Sequence, residues 1–115
     1  MVRDGIYQAI YSGSGYKARG MFVFRKGAFV GIGQTGAIYE GAYYPNSTEQ
    51  VFDFDGCVRF PAGTELVTGP GIHEKELTIP FKGHSAMQNG EAKFVLNFDG
   101  QPVDVTLTFV SPIPG

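Results

Sequence analysis

Residues 92–109 read AKFVLNFDGQPVDVTLTF, and this stretch decides the fold. Apolar and polar side chains alternate on both sides of Asp99-Gly100, a dipeptide typical of two-residue hairpin turns. Pairing across that turn places Leu96 beside Val103 with both side chains on the same face. Because the turn and the alternation agree on one register, the stretch predicts an antiparallel hairpin with one face in a core. Lys26-Gly27 predicts a second hairpin of the same kind.

The same two-residue period continues through most of the chain. Short connections and the absence of an amphipathic helical period favour sequential antiparallel strands. Eight such strands close naturally into a small barrel, since closure removes the sheet edges, and a two-sheet sandwich is the alternative. We therefore predict an all-β fold, an eight-stranded up-and-down antiparallel β-barrel. The predicted strands span 5–11, 16–25, 28–33, 37–44, 49–60, 74–82, 92–98 and 102–110.

A further Asp-Gly pair, Asp55-Gly56, does not fit a turn. A hairpin there would place Phe52 opposite Arg59 and so mix apolar and charged side chains on one face. A continuous strand over 49–60 instead keeps the apolar side chains together. We predict that Gly56 faces inward, where a barrel strand bends.

The composition limits the class of protein. The 115 residues are predicted to form a single β-barrel domain over 1–115, rich in turns, with 17 Gly, 7 Pro, 10 Phe and 6 Tyr. Cys57 is the only cysteine, which excludes an intrachain disulfide and a zinc site built on several cysteines. No apolar run reaches membrane-spanning length, and residues 1–5 lack a signal peptide's apolar core. We therefore expect a cytoplasmic protein that does not associate with membranes.

The net charge of −2 conceals an asymmetry along the chain. The first 26 residues carry a balance of +4, and the remainder carries −6. Because the domain is acidic overall, strand edges decorated with lysine and arginine explain the basic end better than a direct contact with nucleic acid. An acidic protein surface is a reasonable partner for that basic end.

The four N-terminal strands are apolar on both faces, unlike the later ones. A sheet that is apolar on both faces needs cover on both, and a homodimer is the simplest cover. A different protein partner is the next alternative, and an excess of surface tyrosine is the third. The residues assigned to this partner-binding surface are Tyr7, Tyr11, Tyr39, Tyr43, Asn46 and Glu49.

Residues 31–36, GIGQTG, match the dinucleotide-binding fingerprint letter for letter. That motif works where a strand runs into a helix whose N-terminus holds the pyrophosphate. Here residues 37–43 continue as another strand. The motif is therefore interpreted as a glycine-rich hairpin, and no nucleotide cofactor is expected.

No constellation of side chains dictates a chemistry. The groups considered are His73, Glu74, Glu76 and His84, and the pair Asp53 and Asp55 with Arg59. Their spacing matches no metal site, and solvated faces and a surface ion pair explain them more economically. Cys57 lies on the outward phase of its strand without a nearby histidine to activate it. We therefore predict no catalytic residue, no metal and no cofactor, and a protein that is not an enzyme.

Several N-terminal stretches resemble one known family over about the first third of the chain. They are Asp4-Gly5-Ile6-Tyr7, then Gly20-Met21-Phe22-Val23-Phe24 leading through Lys26-Gly27 to Gly31, and Tyr39-Glu40-Gly41-Ala42-Tyr43. This pattern resembles the GrlR family, small bacterial proteins named for a negative regulator of type III secretion genes. The later Phe-x-Leu-x-x-x-Gly hairpin, Phe94 to Gly100, is compatible with it.

The resemblance implies a lipocalin-like, calycin-like barrel of eight strands that pairs as a homodimer. It also implies transcriptional regulation, because the named regulator sequesters a transcriptional activator through an acidic loop after the Tyr-x-Gly-x-Tyr strand. The corresponding residues here, 44–49, contain one acidic side chain, Glu49. That departure concerns the identity of the partner and leaves a partner-binding role open.

Two functions are consistent with these observations. The first is a non-enzymatic regulatory module that acts by sequestering a protein partner, such as a transcription factor. The second is a carrier or sensor of a small apolar ligand inside the barrel, unless the ten phenylalanines themselves fill the interior. An enzyme would require a cavity that holds His73 or His84 beside a carboxylate.

Overall fold

Eight antiparallel strands form the molecule in the computed structural model, which describes residues 3–13, 16–34, 36–45, 51–62, 77–98 and 101–114. The strands are β1 (Gly5–Gly13), β2 (Tyr16–Arg25), β3 (Ala28–Gly33), β4 (Ile38–Pro45), β5 (Val51–Phe60), β6 (Leu77–Ala86), β7 (Glu91–Phe98) and β8 (Gln101–Ser111). Among the residues covered, no helix is long and apolar enough to cross a membrane.

The strands form one sheet that curls into a nearly closed up-and-down barrel. Their order is β6-β5-β4-β3-β2-β1-β8-β7, so strands that follow each other in the chain are paired except β6 and β7, and β8 returns to pair with β1. The two ends of the sheet, β6 and β7, lie against each other without a backbone ladder over 77–86 and 91–98. The predicted fold class is confirmed, and the single sheet excludes the sandwich.

The predicted hairpin registers are confirmed. Leu96 pairs with Val103 across the β7–β8 hairpin, although Asp99 and Gly100 themselves lie outside the described residues. At the β2–β3 turn, Lys26 and Gly27 have φ angles of 49° and 84°. Two consecutive positive φ angles are characteristic of a type I′ turn, whose twist matches that of the flanking strands.

β5 is one continuous strand through Asp55 and Gly56, as predicted. Gly56 pairs with Gly41 of β4, and the ring of Phe29 lies over both glycines on the inner face. A Cβ atom built on Gly56 would lie 2.5 Å from the Glu40 carbonyl oxygen and 2.9 Å from Phe29 Cζ. The absence of a side chain at Gly56 is therefore what allows strand β4 and the Phe29 ring to approach so closely.

β6 extends further than predicted, as far as Ala86. The alternation of inward and outward side chains continues through Phe81, His84 and Ser85, beyond the predicted strand end at residue 82. A tight turn over Met87 to Gly90 then leads directly into β7. Outward His84 and inward Ser85 conform to the strand period, and this accounts for the longer strand.

The core occupies the barrel interior and is dominated by aromatic rings. Every strand contributes inward side chains at alternate positions, as the two-residue period requires. Ring contacts run across the interior in a continuous series, with Phe54 and Phe94 closest at 4.8 Å between centroids. The largest fully buried side chains are Tyr7, Tyr11, Phe52, Val58 and Val103.

Candidate binding surface

The four tyrosines assigned to a partner surface point into the barrel instead. Tyr7, Tyr11, Tyr39 and Tyr43 are 1%, 2%, 3% and 5% exposed. The prediction that these four side chains lie on an outer partner-binding surface is therefore wrong, because they belong to the core. Because both faces of β1–β4 are apolar, alternation alone did not distinguish the inner face from the outer one.

Tyr7 and Tyr43 lie at one end of the barrel, where residues 3 and 4 cover them. The Tyr7 hydroxyl donates a hydrogen bond to the Arg3 carbonyl oxygen at 2.8 Å. The Tyr43 hydroxyl donates to Asp4 Oδ1 at 3.1 Å, and the same oxygen accepts the Lys26 backbone N–H at 3.2 Å. Burial raises the pKa of both tyrosines above the usual value. Their hydroxyls therefore remain protonated donors that hold the N-terminal segment in place.

Tyr11 and Tyr39 lie towards the other end and stack on each other. Their ring centroids are 5.4 Å apart with planes 6° from parallel. Burial raises the pKa of Tyr39 to about 12 and that of Tyr11 well above its usual value. The Tyr11 hydroxyl is buried with no hydrogen-bond partner among the residues that the structure describes. This pair therefore contributes mainly stacked packing, and the neighbouring Tyr39 hydroxyl adds to the raised pKa of Tyr11.

The interior leaves little space for a ligand. A residual cavity of about 30 Å³ lies among the apolar side chains of the core, which include Phe22, Phe54 and Phe81. A volume of this size holds one or two water molecules, whereas ligand sites generally occupy roughly 300–1,000 Å³. The phenylalanines therefore fill the barrel.

The outer surface of β1–β4 carries a contiguous group of apolar side chains, which we call the outer apolar face. Its members are Ile6, Ile10, Met21, Val23, Val30, Ile32 and Ile38. Ile32 and Val30 are the most open, at 57% and 50% exposed, and Met21 and Val23 are also exposed. A contiguous exposed apolar group is characteristic of an interaction surface rather than of scattered surface residues.

The strand register makes this face continuous. Ile6, Val23 and Val30 are paired neighbours in one row across three strands. Met21, Ile32 and Ile38 form the adjacent row, which extends to β4. Directly paired side chains lie about 5 Å apart at Cβ, so the rows leave no room for water between their members.

An open depression of about 500 Å³ lies on the part of this face where Gly33, the last residue of β3, pairs with Gly20 in the middle of β2. Met21 and Ile32 form its apolar lining. Polar side chains of Gln8, Arg19 and Gln34 also line it. The depression therefore offers apolar contact and a cation side by side.

Positive charge borders the outer apolar face on β2. Lys17, Arg19 and Arg25 are exposed there, and none of them forms an ion pair with a carboxylate of the described residues. The nearest anion on β4, Glu40, lies in register beside Val30 and forms an exposed ion pair with Arg59 of β5 at 3.5 Å. The surface beside the apolar side chains is therefore locally basic although the protein is acidic overall.

The other predicted site residues are dispersed or lie outside the described residues. Asn46 and Glu49 lie outside them, as do His73, Glu74 and Glu76. His84 is exposed and pairs in register with Asp53, also exposed, on the outer face of β5 and β6. Within the described ranges, no three His, Cys, Asp or Glu side chains are placed to bind a metal.

The glycine-rich motif and the cysteine take the positions that the sequence indicated. Residues 31–33 end β3, and Gly31 and Ile32 pair with β4 in an antiparallel hairpin, which confirms that the strand does not lead into a helix. Within this hairpin, the Gly33 N–H donates to the Ala37 carbonyl oxygen at 2.7 Å. Cys57 is half-buried on the outward phase of β5, between Glu40 and Pro80.

Comparison with known proteins gives no support for a family assignment. No protein-family model matches the chain. No curated protein matches it at a significant level. The features that bear on function are therefore the outer apolar face, its basic border and the filled interior.

Proposed function

We propose that this protein is a non-enzymatic regulatory module that sequesters a protein partner on the outer apolar face. The observation that carries this proposal is the continuous exposed group on β1–β4 beside a core that is already complete. The residues of the outer apolar face do not contribute to the packing of the core, since inward side chains already fill the interior. An exposed apolar group of this kind lowers solubility, and a bound protein would cover it and remove it from water.

The dimensions of the face support a protein partner. Its seven members lie on strands about 4.8 Å apart, with same-face residues about 6.7 Å apart along each strand, and cover on the order of 200 Å². A standard protein interface buries about 800 Å² on each partner, with an apolar centre and a polar rim. The outer apolar face is the right size for such a centre, and the surrounding polar side chains would supply the rim.

The resemblance of the first third of the chain to the GrlR family supports a regulatory role. It suggests a transcription factor as the class of partner and a second copy of the chain as another occupant of an exposed sheet face. Both expectations require an apolar surface outside the barrel, and the outer apolar face supplies one. A cytoplasmic setting belongs to the same proposal.

The alternative function, carriage of a small apolar ligand, has less support. The residual cavity of about 30 Å³ is too small for an organic ligand. Binding inside the barrel would require Phe81, Phe94 and their neighbours to separate. The filled interior therefore favours binding on the outside.

Native mass spectrometry of the gently tagged protein, recovered from its own host, tests the proposal. Two variants form a matched pair, Val30→Asp on the outer apolar face and Val95→Asp on β7, because these valines are 50% and 52% exposed. We expect an added polypeptide mass on the wild type and on Val95→Asp, and its loss from Val30→Asp.

Equal retention by both variants would contradict the proposed surface. An added small-molecule mass would support the carrier instead. A bare dimer would show self-association alone, and its loss in Val30→Asp would identify a second copy as the occupant. Circular dichroism of both variants checks that each remains folded, as expected for substitutions at exposed strand positions.

A further inference from the structure

We infer that the segment bound on the outer apolar face is acidic, with carboxylates flanking apolar anchor side chains. This inference rests on the proposed function and specifies the chemistry of the partner. It follows from the arrangement of Arg19, the depression beside Met21 and Ile32, and the charges around them.

The depression pairs an apolar floor with a cation. Its volume of about 500 Å³ suits one or two large side chains inserted by a partner. Arg19 lines the same depression, so a carboxylate next to an inserted apolar side chain would meet its guanidinium. Guanidinium and carboxylate groups form paired, charge-assisted hydrogen bonds, which give the contact its direction.

The wall that carries Arg19 is held in place by Gln34. The Arg19 backbone N–H donates to Gln34 Oε1 at 3.2 Å, and the Gln34 backbone N–H donates to the Arg19 carbonyl oxygen at 2.7 Å. Because Oε1 is engaged, the group that Gln34 offers a partner is its Nε2 donor. On this side of the depression the Gln34 amide and the Arg19 guanidinium are both donors, which suit a partner that brings acceptors.

The charges facing this surface leave it positive. Lys17, Arg19 and Arg25 project outward from β2, whereas Glu40 is occupied by Arg59. Asp4 accepts the Lys26 N–H and the Tyr43 hydroxyl at the far end. Asp104 lies two strands from Lys17, with Ser12 of β1 between them. None of these carboxylates neutralises Arg19, so the cation next to the depression is available to a partner.

A second copy of the chain fits this pattern poorly. A two-fold interface brings the same surface from each copy, so the cations of both β2 strands would enter it together. Like charges placed in one interface oppose association, whereas opposite charges steer and orient it. The outer apolar face is therefore better complemented by an acidic segment than by itself.

An anionic membrane is a less suitable occupant. Recognition of anionic lipid typically uses a cluster of about four to eight cations, and only three project from β2 beside this face. The net charge of −2 also opposes approach to an anionic surface. A short acidic segment can place its carboxylates beside the β2 cations alone. It therefore experiences less repulsion from the rest of the protein than an extended anionic membrane would.

Two labelled peptides test the inference against the full-length chain. They share one amphipathic pattern of leucines, and their polar positions carry Glu in one peptide and Lys in the other. Fluorescence anisotropy is measured with the wild type, Arg19→Glu and Lys82→Glu, the last being an equal charge change on β6. We expect the Glu peptide to bind the wild type and Lys82→Glu, and to bind Arg19→Glu about tenfold more weakly.

Other outcomes would overturn the inference, and they can be told apart from a failure of the proposed function. Equal binding of both peptides, or of neither, would show that charge does not select the partner. Sedimentation that reveals a dimer broken by Val30→Asp would make a second copy the occupant. Binding to phosphatidylserine vesicles but to neither peptide would make it a membrane. If the native partner remains on Val30→Asp, the proposed function itself is wrong.

Discussion

Tyr11 and Tyr39 stack nearly parallel inside the barrel, with ring centroids 5.4 Å apart, yet the Tyr11 hydroxyl has no hydrogen-bond partner among the described residues. Their position differs from that of Tyr7 and Tyr43, whose hydroxyls bind the backbone of Arg3 and the carboxylate of Asp4. Each end of the barrel thus contains a pair of buried tyrosines. At one end both hydroxyls donate hydrogen bonds, whereas at the other the Tyr11 hydroxyl does not. The difference should be visible in the free energy of unfolding of variants that remove one hydroxyl.

We expect Tyr11→Phe to leave the free energy of unfolding unchanged or to raise it by up to about 1 kcal/mol. Phenylalanine retains the stacked ring and removes a buried hydroxyl that is not hydrogen-bonded. Tyr43→Phe serves as the control, because it removes a donor to Asp4 and should cost about 0.5–1.5 kcal/mol. Urea denaturation measures both, and equal losses in the two variants would contradict the difference between the two ends.

Alkaline pH should destabilise the protein through Tyr39. Its pKa is raised by burial to about 12, so between pH 10 and 12 the folded state keeps a proton that the unfolded state releases. The free energy of unfolding is therefore intact below pH 10 and falls by about 1.4 kcal/mol per pH unit for this group as the pH rises towards 12.

Denaturant melts across pH 9–12 test this dependence with Tyr39→Phe, whose curve should be shallower than that of the wild type. Val58→Ala, which lowers stability without removing a titrating group, should run parallel to the wild type. Parallel curves for the wild type and Tyr39→Phe would show that Tyr39 ionises equally in both states.

Gly56→Ala should be strongly destabilising, by about 3 kcal/mol or more. The added methyl would lie 2.5 Å from the backbone oxygen of Glu40, and a backbone atom cannot move aside cheaply. Gly33→Ala is the matched control, since the nearest atom to its Cβ is 3.5 Å away, an ordinary contact. Thermal denaturation of both variants would refute the argument if they lost similar stability.

Arg3→Ala should cost about 0.5–1 kcal/mol. The Arg3 guanidinium lies over the Phe109 ring, 4.3 Å from its centroid, at an exposed position. Arg3→Lys retains the charge but not the planar group, and should retain part of the stability. A double-mutant cycle with Phe109→Leu measures the pairwise energy, and a coupling near zero would exclude the cation–π contact.

The sequence was sufficient to predict the strands because their apolar period and turn residues agree. The register of Leu96 with Val103 and the continuity of β5 through Gly56 both followed from that agreement. The extent of β6 did not, because Gly83 resembles a strand end. In the structure, Gly83 lies under the ring of Phe54 inside the barrel.

The inner face of β1–β4 could have been identified from the charged residues. On β2, Lys17, Arg19 and Arg25 share the phase of Met21 and Val23, whereas the opposite phase carries no charge. On β4, Glu40 is likewise out of phase with Tyr39 and Tyr43. A filled barrel excludes unpaired charge, so the uncharged phase is the inner one. The outer apolar face and the depression at Arg19 additionally depend on pairing across three strands, which the period of a single strand does not reveal.

The side-chain closure between β6 and β7 has a consequence for how the molecule opens. Ser85 Oγ donates to the Lys93 carbonyl oxygen at 3.2 Å across this junction, but no ladder of amides spans 77–86 and 91–98. Pro80, which has no N–H, is accommodated in β6 because it occupies an edge. We expect unfolding to begin at this junction. The amides of β6 and β7 that pair with β5 and β8 should then exchange with deuterated solvent earlier than those of β1 and β2.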